Sequence, residues 1–79
     1  MYLEIITPEK KLFTGEINLL QVPGSKGSFE VLKNHAPIIS TLEEGKIKIR
    51  TEDGQYSYFE IQGGLIEVKS NKIIVLAEV

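Results

Sequence analysis

The segment Lys46-Ile47-Lys48-Ile49-Arg50 alternates strictly between charged and apolar side chains. A period of two puts Ile47 and Ile49 on one face of a strand and the cations on the other. Most of the chain obeys the same period. Tyr2 to Ile6, Ile17 to Val22, Tyr56 to Ile61, Leu65 to Val68 and Ile73 to Val79 all read as strands, rich in β-branched and aromatic residues. Pro8 closes the first run and Pro23-Gly24 the second. Asp53-Gly54 is a hairpin signal, because both residues tolerate the positive φ of a tight turn. Glu43-Glu44-Gly45 and Ser70-Asn71-Lys72 are turns of the same kind, and Gly15 marks a bulge or bend. Pro8 to Leu12 has weak helical character and is too short for a helix. About seven to ten short strands, with turns every 8 to 12 residues or so, predict an all-β sandwich or barrel.

Length sets the next constraint. At 79 residues the chain forms one domain, 1–79. A domain of this size buries only about 60% of the surface its unfolded chain exposes. It has no cysteine, so no disulfide adds to its stability. Stabilisation by a partner protein is therefore expected. The formal net charge of −2 argues against a nucleic-acid binder, which needs a basic excess. The best local basic patches are Lys10-Lys11 and the row Lys46, Lys48, Arg50. No apolar run approaches the roughly 18 residues that span a bilayer. The opening MYLEIITPEKK lacks the basic start and apolar stretch of a signal peptide.

Chemistry is limited by inventory. GSKGSFEVLKNHAPII, Gly24 to Ile39, holds the only histidine, His35. One histidine without cysteine leaves only carboxylates to complete a zinc-type site. Ser28 and Ser40 are near it in sequence, but neither stands in a nucleophile-elbow pattern. Gly24-Ser25-Lys26-Gly27 lacks phosphate-loop spacing and is followed by a strand, so it reads as a turn. Glu43-Glu44 and Glu52-Asp53 read as solvated turn acids. Tyr56 and Tyr58 share a strand face, where core packing or an interface anchor is expected ahead of a ligand platform. No catalytic residue, cofactor or metal is expected. Pro37 holds Ala36 extended and removes a backbone donor, while Asn34 suits a left-handed bend. His35 is thus displayed on a shaped turn that leads into a strand.

Taken in order, several of these signals resemble one family. Val22-Pro23-Gly24, Gly27, Val31-Leu32, Asn34-His35-Ala36-Pro37, Leu42 and Gly45 are similar to the signature of the epsilon subunit of F-type ATP synthase. Gly63 to Val68, Asn71 and Val75-Leu76-Ala77-Glu78 resemble the family's second signature, and Thr7-Pro8 with Phe13-Thr14-Gly15 fits its opening. The resemblance implies a sandwich of about ten strands in two sheets of about five. It implies a non-catalytic rotor subunit of the central stalk, bound to the gamma subunit and to the membrane c-ring, that couples proton-driven rotation to ATP synthesis. It would sit peripherally at the cytoplasmic face of a bacterial inner membrane, touching the membrane only through the c-ring. No homo-oligomer is expected.

Carried over by position, the resemblance implies a gamma-facing set of Thr7, His35, Ser40, Gln62 and Glu67. It implies a c-ring end at Ser25, Lys26, Gly27 and Ser28, joined by Glu30 and Lys33. Several positions depart from the family pattern. An acid is usual at Ser28 and glycine at Glu30, a proline step before the histidine is replaced by Lys33-Asn34, and Gln62 stands where serine is common. The family also carries a C-terminal helix pair that would begin near Val79. Its absence from this sequence leads us to expect neither ATP binding nor helix-based inhibition. A free-standing module for carbohydrate or single-stranded nucleic acid is the competing reading. It requires an exposed aromatic row beside a polar or basic groove.

Overall fold

A computed structural model describes residues 1–79. Eight strands follow one another: β1 (Tyr2–Ile6), β2 (Lys11–Val22), β3 (Phe29–Val31), β4 (Ile38–Leu42), β5 (Gly45–Thr51), β6 (Tyr56–Ile61), β7 (Gly63–Lys69) and β8 (Lys72–Glu78). The all-β sandwich prediction holds, with fewer strands than expected from the resemblance. The difference lies in β2, which is 12 residues long. Its first half, through Glu16, pairs with β1, and its second half, from Ile17, pairs with β5 and β3. One strand thereby serves both layers. The first layer runs β4-β7-β8-β1-β2, and the second is built from β3, β2, β5 and β6. The bend predicted at Gly15 falls at this transfer, and the register irregularity follows between Ile17 and Leu19.

Turn chemistry closes the hairpins as the sequence suggests. Gly54 has φ 88°, and its N–H donates to the Thr51 carbonyl at 2.9 Å. Ser70 and Asn71, at φ 53° and 62°, form the two-residue turn between β7 and β8. Thr7 turns the chain between β1 and β2. Its hydroxyl accepts from the Lys10 and Glu9 amides at 3.0 and 3.3 Å and donates to the Lys10 carbonyl at 2.9 Å.

The core is a single cluster of 15 buried apolar residues. Leu3, Ile5, Ile66, Val68, Ile73, Val75 and Ala77 come from the first layer, and Leu20, Val22, Val31, Ile47, Ile49 and Ile61 from the second. The alternation of β5 is obeyed: Ile47 and Ile49 are buried while Lys46 is exposed. Phe13 of β2 meets Phe59 of β6 edge-to-face, with ring centroids 6.1 Å apart. That contact joins the layers on the side away from β4. On the other side, Gly24 bridges Leu42, and the Ser25 and Glu43 amides donate to Thr41 and Pro23 carbonyls. The first and last strands lie side by side, β1 parallel to β8 from Tyr2↔Lys72 to Ile6↔Leu76.

Gly64 is fixed by close approach. A Cβ there would lie 2.4 Å from the Leu76 carbonyl oxygen and 3.3 Å from the Ala77 Cα, both backbone atoms of a central strand. Gly64→Ala is expected to cost about 2–3 kcal/mol through overpacking. Urea denaturation measures this. An unchanged midpoint would show that β7 and β8 can move apart freely.

A candidate docking face on the first layer

The cross-strand register lays out the outer face of the first layer in rows. One row runs Thr41–Leu65–Leu76–Ile6 across β4, β7, β8 and β1. The next runs Ile39–Glu67–Ile74–Glu4–Thr14 and ends on β2. A third carries Lys69, Lys72, Tyr2 and Glu16. The first row is therefore mostly aliphatic, the middle one alternates aliphatic side chains with Glu67 and Glu4, and the third is charged. Ile39 is 69% exposed, Leu76 50% and Leu65 37%. Large aliphatic side chains grouped on one sheet face mark a surface made to be covered.

Glu67 sits in the middle of this face. Two open depressions of about 370 and 470 Å³ flank it, one bordered by Lys69, Lys72 and Ile74, the other by Pro37 and Ile39. The polar margin is fixed by short contacts. Lys11 Nζ lies 3.0 Å from Glu4 Oε2, and the Tyr2 hydroxyl lies 3.0 Å from Thr14 Oγ1. The hydrogen bond from Lys11 holds Glu4 below the usual carboxylate range, and the same bond raises Lys11.

The other predicted contact residues fall in distinct places. His35 is exposed in the β3–β4 turn, where its Nδ1–H donates to the Ala36 carbonyl at 2.7 Å. Asn34 takes the left-handed bend at φ 65°. Gln62 is exposed at the opposite end of the layer, its N–H donating to the Glu78 carbonyl at 2.6 Å. Thr7 lies at that same end but is only 6% exposed, its hydroxyl committed to the turn. Ser40 pairs with buried Ile66, so it belongs to the inner face, while Glu67 belongs to the outer one. The residues expected to face gamma are thus spread along the whole layer instead of forming one patch.

The loop Ser25 to Ser28 is exposed and is held against β4, with Thr41 Oγ1 donating to Ser25 Oγ at 2.9 Å. Gln21 Nε2 donates to Ser28 Oγ at 3.2 Å, and Glu30 is exposed on β3 opposite Gln21. Lys33 lies apart from the other residues of the expected c-ring group. It borders a depression with Tyr2, Asn18 and Asn71 at the far end of the layer. The extended run of β3, Phe29–Val31, carries it away from that loop.

Sequence reasoning missed the exposed aliphatic cluster. The signal was present in Ile73-Ile74-Val75-Leu76-Ala77, which has no polar alternate position. A strand apolar on both sides is one whose second side is also covered. On the second layer, Tyr56 and Tyr58 are 50% and 58% exposed, which removes the core-packing alternative and leaves that of an interface anchor. They share the outer face with Lys48 and Arg50, and Lys48 Nζ lies 4.9 Å from the Tyr56 ring centroid. No three His, Cys, Asp or Glu side chains come together in a metal-binding group.

The family model described as the ATP synthase delta/epsilon chain, beta-sandwich domain, matches residues 1–79. The chain is 46% identical over 76 residues to the ATP synthase epsilon chain of Chlorobaculum tepidum, covering 96% of this chain and 86% of the relative. It is 40% identical over 78 residues to that of Caulobacter vibrioides, covering 99% and 90%. Against the epsilon chain of Leptospira borgpetersenii it is 43% identical over 94% of its length but spans only 58% of the relative. Its fold is similar to a chain in the Euglena gracilis mitochondrial ATP synthase, solved as OSCP/F1/c-ring, with TM-score 0.88 at 18% identity. A second match is to a chain of the Tetrahymena thermophila mitochondrial ATP synthase central stalk and c-ring, with TM-score 0.85 at 17% identity. The chain covers 48% and 63% of those two structures' chains.

The Glu4–Lys11 pair gives the face a pH signature. Glu4 titrates lower in the folded protein than its ordinary value of 4.5. Its contribution is present above that value and is lost as pH falls through the folded value. Lys11 works in the opposite direction, its contribution being lost only as pH rises through a folded value above 10.5. Glu4→Gln is therefore expected to be less stable than wild type at about pH 6, with the gap closing as pH falls to about 3. Urea midpoints across that range test it, and a constant gap would contradict the assignment.

Proposed function

The chain belongs to the ATP synthase delta/epsilon chain family, and we propose that it serves as a non-catalytic rotor subunit of the central stalk of an F-type ATP synthase. In this reading the outer face of the first layer docks on the gamma subunit. The observation that carries it is the aliphatic row beside Glu67, with Leu65 and Leu76 exposed in it and Ile39 exposed in the next row of the same sheet face. A permanent interface of this kind buries well over roughly 1,000 Å². It also adds stability that a small core lacks. His35 and Gln62 frame the face from its two ends, and Glu67 stands at its centre. Thr7 shapes the β1–β2 turn, and Ser40 supports β4 from its inner side.

The exposed loop Ser25 to Ser28, with Glu30 beside it, is proposed to rest on the c-ring. Rotation driven by proton flow then passes from ring to shaft through the sandwich. Close packing suits that task, because a dense core deforms little under load. The chain performs no chemistry of its own in this role. It would lie at the cytoplasmic face of a bacterial inner membrane and meet the membrane only through the ring.

The second layer supports a second reading. Tyr56 and Tyr58 beside Lys48 and Arg50 form the exposed aromatic row that a single-stranded nucleic-acid or carbohydrate module requires. The net charge of −2 opposes the nucleic-acid form of it.

One experiment separates the two. A matching gamma subunit is titrated against wild type, a Leu65→Asp/Leu76→Asp double variant and a Tyr56→Ala/Tyr58→Ala double variant, with folding checked by circular dichroism. The aspartates are expected to weaken binding at least about a hundredfold, as loss of a buried hot spot does. The tyrosine variant is expected to bind like wild type. Unchanged binding by the aspartate variant would sink the assigned face. Oligonucleotide or oligosaccharide binding that depends on the tyrosines, with none to gamma, would install the second reading.

A further inference from the structure

The connection from Leu32 to Pro37 is exposed at every residue. Two hydrogen bonds lie within it, from the His35 amide to the Leu32 carbonyl at 3.1 Å and from His35 Nδ1–H to the Ala36 carbonyl at 2.7 Å. Its hydrogen bonds to the rest of the molecule all end on Asn71, 37 residues away. The Asn34 N–H donates to Asn71 Oδ1 at 3.1 Å, and Asn71 Nδ2 reaches Asn34 Oδ1 at 3.5 Å. Asn71 is itself anchored, because its carbonyl accepts the Tyr2 N–H at 2.9 Å. Both asparagines occupy the left-handed region, at φ 65° and 62°. That backbone turns each side chain toward the other turn, and asparagine adopts it more readily than other non-glycine residues.

We propose that Asn71 is a positioning residue, which clasps the Lys33–His35 turn to the β7–β8 hairpin and sets His35 at the edge of the docking face. This rests on the reading of that face as the gamma-binding surface. The physical reason is entropy. An exposed connection with one anchor is mobile once the anchor is gone, and a mobile segment must be ordered again on binding, which weakens affinity. The clasp keeps the histidine in place before the partner arrives. It also ties the turn to β1 and β8, so force on His35 passes directly into central strands of the layer.

Asn71→Gly isolates the effect. Glycine takes the left-handed φ without strain, so the hairpin is retained while the side-chain clasp is lost. The Asn34 amide is expected to exchange with solvent at least about tenfold faster. Binding to a matching gamma subunit is expected to weaken about tenfold. Asn71→Asp keeps the acceptor for the Asn34 amide and loses only the amide donor, so it should recover most of both losses. If Asn71 acts through His35, the double variant Asn71→Gly/His35→Ala binds no more weakly than His35→Ala alone. Additive losses overturn the proposal. So does wild-type affinity in Asn71→Gly while its Asn34 amide exchanges fast, and so does an amide that stays protected. Failure of the wild-type protein to bind gamma would instead defeat the underlying reading of the face, while the exchange data still report on the clasp.

Discussion

The fold depends on one strand belonging to two sheets. Lys11 to Glu16 bonds with β1, and from Ile17 onward the same strand bonds with β5 and β3. A chain of 79 residues without cysteine cannot hold two independent sheets together by apolar contact alone with much margin. Threading β2 through both layers makes them one hydrogen-bonded surface folded over a common core. The Phe13–Phe59 contact and the Gly24–Leu42 bridge then close the two sides. The outer face of β1, β7 and β8, proposed above to dock on a partner, is backed by that shared core.

The two outer faces are chemically unlike. On the first layer, strands β7 and β8 place Leu65, Ile74 and Leu76 outward while Ile66, Val68, Ile73 and Val75 point inward. Around Leu65, Ile74 and Leu76 those strands are apolar on both sides, while Glu67, Lys69 and Lys72 keep the rest of the outer face charged. On the second layer, β5 and β6 place lysine, arginine and tyrosine outward, an arrangement that water tolerates. The exposed aliphatic cluster thus lies on one outer face, and the tyrosine-and-cation row lies on the other.

Much of this was legible in the residues. The alternation in β5 assigned Ile47 and Ile49 to the core. The Asn34-His35-Ala36-Pro37 run gave the shaped turn, and Asp53-Gly54 gave the hairpin. The resemblance in signature order gave the family, which the relatives bear out. What stayed hidden was whatever depends on register between distant strands. Ser40 and Glu67 share a surface only if their strands have the right parity, and pairing Ser40 with Ile66 puts them on opposite faces. Thr7 resembles a surface residue until its hydroxyl is found bonded within the β1–β2 turn. Lys33 is close to Ser28 in sequence, but the short β3 carries it toward the other end of the layer. The clasp between Asn34 and Asn71 joins residues that no local pattern connects. The aliphatic run Ile73 to Ala77 differs from these, because its meaning was available from the sequence and was read only as a strand.

The parallel pairing of β1 with β8 has a mechanical consequence. β1 leaves Met1 at the end of the molecule that holds the β7–β8 hairpin, and β8 delivers Val79 to the opposite end. Tension that draws these two extremities apart runs along both strands in opposite senses. It loads the backbone bonds between Tyr2 and Ile6 and their β8 partners in shear, so they must fail together instead of peeling open one after another. Such a ladder resists stretching far better than a hairpin pulled from its open end. The sandwich is thus strongest along the axis of its central strands, the direction in which a load between its two ends would act.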